Sequence, residues 1–178
     1  MKYIKRLAVF IASRLIIFSL CASLIICAFY MAYNIGDAYI LVTEGLEKRV
    51  DVCLTRDDYT SLNSYFAASF LNQDPVLAVA VSESSPYYAY NITSFEYNIK
   101  LTKLRGAWPW ADYITCVVTE TVSDITGTVK AAYASEVSGE ITPWKSSRYT
   151  VTLRKQSDGK WKITGLEQDP TYKDTTNG

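Results

Sequence analysis

The chain has 178 residues, with 18 basic and 18 acidic side chains, four cysteines and no histidine. This length allows one ordinary domain and a short appendage. Histidine is the commonest general base and metal ligand, and no two cysteines form a C-x-x-C pair, so the composition argues against zinc sites and histidine-based catalysis. We therefore predict no metal ion and no cofactor.

Charge is unevenly distributed along the chain. Residues 1–14 contain four basic residues and no acidic one, whereas residues 34–178 contain 14 basic and 18 acidic side chains, a net charge of −4. Proteins that bind nucleic acid concentrate lysine and arginine on one face. A mildly acidic domain does not fit that pattern, so we predict no nucleic-acid partner.

Residues 15–33 read LIIFSLCASLIICAFYMAY and carry no charge over 19 residues. A helix of roughly 20 apolar residues spans the hydrocarbon layer of a bilayer. Because basic residues flank only its N-terminal side, the positive-inside rule predicts a cytoplasmic segment at 1–14 and places residues 34–178 outside. We predict a single-pass protein of the plasma (inner) membrane, with the lipid bilayer as a partner. A cleaved signal peptide is disfavoured, because bulky side chains at 29–33 replace the small residues of a cleavage site.

Residues 34–170 are predicted to form one extracytoplasmic α+β domain, followed by a polar, flexible tail at 171–178. Asn34, Gly36 and Asp37 interrupt the apolar pattern, which predicts a break and a new helix that begins near Asp37. Apolar residues three or four positions apart then trace one helix face: Tyr39, Val42, Leu46, Val50 and Cys53.

A second amphipathic helix is predicted after residue 56. Asp57 or Asp58 can cap its start. Its apolar positions are Leu62, Tyr65, Phe66 and Phe70. It is expected to end at Asp74, because the residue before a proline avoids the helical backbone conformation. Residues 76–81 form an apolar run that fits either a short strand or a last helical turn.

Alternating apolar and polar residues predict strands at 94–102, 114–119 and 149–153, and a further strand from Trp161. The sequence Ser157-Asp158-Gly159 predicts a tight hairpin turn between the last two. Residues 125–137 are compatible with an additional strand, and residues 139–147 with a loop. The fold class is therefore α+β, with two amphipathic helices packed on a curved, mostly antiparallel sheet.

The order of these elements and the segment RYTVTLRKQSDGKWKITGLEQDP at 148–170 resemble the nuclear transport factor two-like superfamily. Members often finish with two long strands, a tight turn and a G-K-W-K-I phrase, which here occupies residues 159–163. The resemblance covers residues 37–170 and implies a cone-shaped fold. It does not imply an activity, since the superfamily includes isomerases, dehydratases and non-catalytic binding modules. The anchored layout is also similar to single-span assembly factors of type IV secretion and conjugation, and to anchored accessory domains of Gram-positive envelopes.

In enzymes of this superfamily, chemistry takes place inside the cone on Asp, Tyr or His side chains. The resemblance therefore draws attention to Asp57, Asp58 and Asp112, and to Tyr97 and Tyr113. The first two acids are explained by a helix cap and the third by entry into a strand. No catalytic residue is assigned.

Cys53 and Cys116 lie in the predicted outer domain. Outside the cytoplasm they are able to form a disulfide, whereas the strong tendency of cysteine to be buried favours two free core thiols. Both interpretations remain open at the level of sequence.

Aromatic residues cluster in two predicted loops, and we take five of them as candidate partner contacts: Tyr87, Tyr88, Tyr90, Trp108 and Trp110. Tyrosine and tryptophan dominate the energetics of protein interfaces. The alternative is that these rings pack beneath loops or close the open end of the barrel.

The leading hypothesis is a non-catalytic, membrane-anchored binding or scaffold protein of the cell envelope. Its partners would be other envelope or membrane proteins, or further copies of itself in a homo-oligomer, and a conjugation or type IV secretion assembly is one version. The alternative is a small-molecule-binding protein, or an enzyme of the isomerase or dehydratase type, that uses the interior of the cone. A sizeable pocket with paired carboxyl and tyrosine groups would favour the alternative.

Overall fold

The computed structural model describes residues 2–137 and 139–172. The tail predicted at 171–178 therefore lies mostly outside the described residues. The helices are α1 (Lys2–Thr55), α2 (Ala68–Leu71) and α3 (Pro75–Val81), with short 3₁₀ helices at Tyr59–Ser64 and Ala131–Tyr133. The strands are β1 (Tyr90–Arg105), β2 (Tyr113–Val129), β3 (Ser147–Lys155) and β4 (Trp161–Gln168).

The four strands form one antiparallel sheet in the order β1-β2-β3-β4. The C-terminal part of α1 contacts both edge strands, β1 and β4, so the sheet curves around this helix without closing into a barrel. The predicted α+β class and the curved antiparallel sheet are confirmed.

Helix α1 continues for 54 residues without interruption. The predicted break near Asn34 and the predicted cap at Asp37 are wrong. A single glycine in a helix costs only about 1 kcal/mol relative to alanine, so Gly36 is a weak stop signal. The helix beyond it is held by burial of Ala38, Val42 and Leu46 against the sheet.

The N-terminal half of α1 is covered by no other part of the described chain. Between Tyr3 and Tyr33 every side chain is exposed except those of Cys27 and Met31, which are half-buried. The helix is long and apolar enough to cross a membrane. Such a segment leaves its apolar surface in water unless lipid or another protein covers it.

The main core lies between the C-terminal half of α1 and the sheet. Four of the five predicted helix-face residues are fully buried, whereas Tyr39 is exposed because Ala38 occupies the inward position. The strands contribute alternate residues to this core: Ile114, Cys116, Val118, Val151, Leu153 and Ile163. Burial of one face of each element drives this packing.

The second predicted helix is replaced by shorter pieces. Asp58 caps the 3₁₀ helix at Tyr59–Ser64, where its side chain accepts a hydrogen bond from the Thr60 N–H at 3.0 Å. Asp74 begins a helix instead of ending one: it caps α3, and Pro75 takes the first helical position, where no N–H is needed. Residues 76–81 are therefore helical.

The four predicted strands are confirmed and extend further than the alternation indicated. Residues 125–129 lengthen β2, and no separate strand follows in the described part of 125–137. The described residues of the predicted loop at 139–147 are irregular up to Ser146. The turn between β3 and β4 contains Gly159 with φ +81°, a conformation that favours glycine.

Cys53 and Cys116 are free thiols in this structure, and both are buried. Burial raises the pKa of each thiol to about 12, because the apolar surroundings disfavour the thiolate. The sequence left open a disulfide or two free core thiols, and this structure contains the free thiols.

Candidate functional site

A buried ion pair joins α1 to the start of α3. The Arg49 guanidinium donates to both carboxylate oxygens of Asp74, with Nε–Oδ2 at 2.6 Å and Nη2–Oδ1 at 3.0 Å. The side chains are only 3% and 2% exposed. A bidentate, charge-assisted pair of this kind is strong and directional, and removal of either partner leaves a buried charge uncompensated.

Local structure explains why these two residues meet. Arg49 follows Leu46 by three positions and precedes Cys53 by four, so it lies on the helix face that packs against the sheet. Asp74 caps α3, where its Oδ1 also accepts the Val76 N–H at 2.9 Å. The same carboxylate therefore starts a helix and neutralises an arginine.

Glu120 lies close to this ion pair and is fully buried. It occupies the next inward position of β2 after Val118, in the alternation that buries every second residue of the strand. Its Oε1 accepts a hydrogen bond from the Trp144 indole N–H at 3.0 Å. Burial raises the pKa of Glu120 to about 7, against the opposing effects of the Arg49 charge and this hydrogen bond.

Two tyrosines complete the cluster. Burial, reinforced by the negative charge of Glu120, raises the pKa of both Tyr97 and Tyr149 above the ordinary value of 10. Among the described residues, the Tyr97 hydroxyl, Glu120 Oε2 and Arg49 Nη1 are buried without a well-aligned hydrogen bond, although the Tyr97 hydroxyl is close enough to Glu120 to oppose the rise in its pKa. The interior of the curved sheet is thus polar in one place.

Two clefts open beside this cluster. An apolar cleft of about 500 Å³ lies between α3 and the loop before β3, and its lining includes Val76, Val79, Pro86, Tyr87, Pro143 and Trp144. A second cleft of about 490 Å³ is lined by Arg49, Asp74, Phe70 and Thr164 among others. Tyr149 lines both clefts, whereas Glu120 lines neither.

Comparison with known proteins adds no relative. No family model, curated protein or solved structure matches the chain. The chemistry of the site is therefore argued from its geometry. Glu120 is sealed from both clefts, and Arg49 and Asp74 neutralise each other, so the arrangement suits binding better than proton transfer to a substrate.

The patterns in the sequence did not identify Arg49, Asp74 and Glu120 as site residues. Two signals were present: Arg49 continues the 3-and-4 spacing of the helix face, and Glu120 continues the alternation from Ile114 through Val118. Arg49 lies within the helix pattern and Glu120 extends the strand pattern by one step, so both patterns place a charged residue in the core. Such residues are rarely buried without a partner, so they mark a position worth attention.

The tyrosines proposed as partner contacts are mostly internal. Tyr87 and Tyr90 are buried, and the Tyr90 hydroxyl donates to the Glu140 carbonyl at 2.9 Å. Tyr88 is half-buried, and its ring lies 4.6 Å from the Arg56 guanidinium. Tyr88 and Tyr90 therefore offer a partner little surface, and Tyr87 is accessible only as part of the lining of the apolar cleft.

Trp108 and Trp110 differ from the tyrosines, because they are 51% and 73% exposed. Their rings stack with centroids 5.9 Å apart and planes 11° apart. They occupy the turn between β1 and β2, away from the ion pair. Both remain candidate contacts.

The acids considered for catalysis do not converge in the described structure. Asp57 and Asp112 are exposed, as is Tyr113, and Asp58 serves as a cap. No group of three or more Cys, Asp or Glu side chains is placed to hold a metal ion among the residues described.

Proposed function

We propose that this chain is a membrane-anchored binding protein of the cell envelope, which holds one small domain at a fixed distance from the bilayer. The observation that carries the proposal is the continuity of α1. The helix is largely exposed and apolar between Leu15 and Tyr33, and without a break it becomes the central core helix of the domain. A continuous helix transmits position and orientation, which a flexible linker does not.

The apolar cleft is the surface that we assign to a partner protein. It is lined in part by Cys53, which follows Asn34 by 19 residues along α1, or about 29 Å of helix. The cleft therefore opens well away from the membrane, where apolar side chains of another envelope protein can reach it. Exposed valines on α3 give it the apolar character of an interface core.

The proposal also covers the fold superfamily of the domain and the kind of assembly in which the chain takes part. A four-stranded antiparallel meander curved around one helix supports a nuclear transport factor two-like domain. An assembly of several envelope proteins, of the conjugation or type IV secretion kind, would use an anchored domain of this layout. A second copy of the chain is also a partner that the cleft could accept.

Membrane topology is the first test. In intact cells, protease added from outside is expected to digest residues 34–178, and the remaining fragment should resist extraction by alkaline carbonate, because α1 crosses the bilayer with its basic end inside. The measurement is immunoblotting with tags placed at either terminus. Full protection of the C-terminal tag in intact cells, or release of the chain by carbonate, would contradict the anchored arrangement.

The cleft is tested with a photo-crosslinking amino acid introduced at Val79, which lines it and is 46% exposed. We expect a discrete crosslinked protein in intact cells. The matched control is Val81 on the same helix, which is 51% exposed and does not line the cleft. Equal crosslinking from both positions, or none from Val79, would contradict a binding role for the cleft.

The second candidate function is binding of a small molecule, and one observation favours it. The cleft of about 490 Å³ has a buried ion pair in its wall, which is a polar feature able to orient a ligand. A small molecule that co-purifies with the wild type and is lost from Thr164→Trp, a change at a residue that lines this cleft and not the apolar one, would support this candidate over a protein partner.

A further inference from the structure

The turn between β1 and β2 is tied to α1 at the point where the apolar run ends. Asn34 directly follows residues 15–33, and its Nδ2 donates a hydrogen bond to the Trp108 carbonyl at 3.0 Å. The same carbonyl accepts the Ala111 N–H at 3.0 Å, which closes the turn. If α1 spans the bilayer as proposed, this bond holds the turn at the level of the membrane surface.

The turn between β3 and β4 lies at the same end of the sheet. Tyr113 pairs with Arg154 and Lys155 pairs with Trp161, so both turns leave the sheet on one side. A cleft of about 390 Å³ is lined by Tyr33 and Asn34 of α1 together with residues of this second turn, including Lys160. Both turns therefore lie beside the part of α1 that directly follows residues 15–33.

Aromatic rings are concentrated on this end. The stacked pair of Trp108 and Trp110 is largely exposed, as is Tyr113 at the first position of β2. Exposed tryptophans leave apolar surface in water, whereas the interface of a bilayer accommodates both the apolar ring and the polar indole N–H. Gly106 (φ +85°) shapes the turn, and a Cβ there would lie 3.0 Å from the Tyr113 carbonyl oxygen.

The two turns and the strand ends that flank them are basic, whereas the rest of the domain is acidic. The segments 103–113 and 154–162 carry six basic and two acidic side chains, a net charge of +4, whereas the other residues of 34–178 carry a net charge of −8. An acidic domain is repelled by a membrane that contains anionic lipids. A basic end is attracted to such a membrane, and the attraction weakens with salt.

We propose that this end of the sheet is a lipid-binding surface, which rests in the headgroup layer of the bilayer that α1 crosses. Trp108 and Trp110 insert among the headgroups, and the exposed basic residues in and beside the two turns, at the ends of the strands, contact anionic lipids. This inference rests on the proposed anchoring by α1, and it assigns the two tryptophans to lipid. The domain is then fixed to the membrane at two places, which orients the apolar cleft away from it.

The test uses the full chain in nanodiscs whose lipids carry bromine near the headgroups, which quenches nearby tryptophan fluorescence. We expect strong quenching of the wild type and, in Trp108→Phe/Trp110→Phe, a quenched fraction lower by about threefold or more, because the interfacial rings no longer fluoresce. Trp161 is buried but lines the cleft beside Tyr33 at this same end, so every sample carries Trp161→Phe, and the half-buried Trp144 supplies the remaining signal. An unquenched wild type, or unchanged quenching in the double variant, would overturn the proposal.

A matched control adds Tyr59→Trp to that double variant. Tyr59 is 51% exposed, as Trp108 is, and it follows the end of α1 at Thr55. Thr55 lies 21 residues beyond Asn34, or about 32 Å along the helix. We expect the introduced tryptophan to escape quenching, and quenching equal to that of the wild type would count against a specific lipid-facing end.

The contribution of the basic residues to lipid contact is tested separately. Replacing zwitterionic by anionic lipid should increase quenching, and Lys155→Gln/Lys160→Gln should remove that increase, whereas Lys145→Gln in the loop before β3 should leave it intact. No response to anionic lipid would overturn the headgroup contact. A chain that does not enter nanodiscs at all would contradict the anchoring by α1. A wild type that enters nanodiscs but is not quenched would contradict only the lipid-binding surface.

Discussion

Replacing Asp74 by alanine is expected to lower the free energy of unfolding by about 3–5 kcal/mol, because the Arg49 charge would remain buried without its partner. The pair is nearly inaccessible to water, with side chains only 3% and 2% exposed. The lost cap of α3 adds to the effect, since Val76 N–H also bonds to this carboxylate. The measurement is urea unfolding of the full chain in detergent micelles, followed by intrinsic fluorescence.

Two comparisons separate the ion pair from a simple cap. Asp58→Ala removes a cap of the same type at an exposed site, so its effect should be much smaller. Arg49→Met/Asp74→Leu removes both charges and is expected to be less destabilising than Asp74→Ala alone. An effect of Asp74→Ala no larger than that of Asp58→Ala would show that the buried charge is not the cause.

Glu120→Gln is expected to stabilise the protein above neutral pH by up to about 3 kcal/mol. Burial raises the pKa of Glu120 from an ordinary 4.5 to about 7, so the folded state binds a proton more tightly than the unfolded state. Its contribution to stability is fully present below pH 4.5 and is lost as the pH rises through 7. Glutamine stays neutral throughout and keeps an oxygen for the Trp144 indole N–H.

The measurement is the free energy of unfolding of wild type and Glu120→Gln between pH 4 and pH 8, by urea denaturation. The wild-type curve should fall with rising pH relative to the variant, with most of the difference developed between 4.5 and 7. Glu96→Gln on the exposed face of β1 is the matched control, and its curve should follow the wild type. Parallel curves for wild type and Glu120→Gln would mean that Glu120 is not protonated in the folded protein.

The proposals assign different tasks to the two ends of the domain. In these proposals the end that carries Trp108 and Trp110 would face lipid, and the cleft beside α3, about 29 Å further along α1 as measured from Asn34 to Cys53, would face a partner protein. The Arg49–Asp74 pair links α1 to α3, which forms one wall of that cleft. We infer that this pair keeps the cleft at a fixed position and orientation relative to the membrane-spanning part of α1.

Periodicity in the sequence was sufficient to predict the elements that have a strong one-sided pattern. The apolar helix, the buried helix face through Val42 and Leu46, and the four strands follow from patterns with periods of 3.6 and 2, because each buries one face. The turn at Gly159 follows from local backbone chemistry. The charge difference between residues 1–14 and the rest also needs no structure to be seen.

The tertiary structure decided whether α1 is broken and which polar residues pair. Local stop signals at Asn34 and Gly36 are worth little compared with the packing of the following turns, so the helix continues. The partner of Arg49 is 25 residues away, and that of Glu120 is 24 residues away, on elements whose approach no local pattern encodes. Spacing alone shows that Glu120 points inward, but its burial and its raised pKa depend on what the folded chain packs around it.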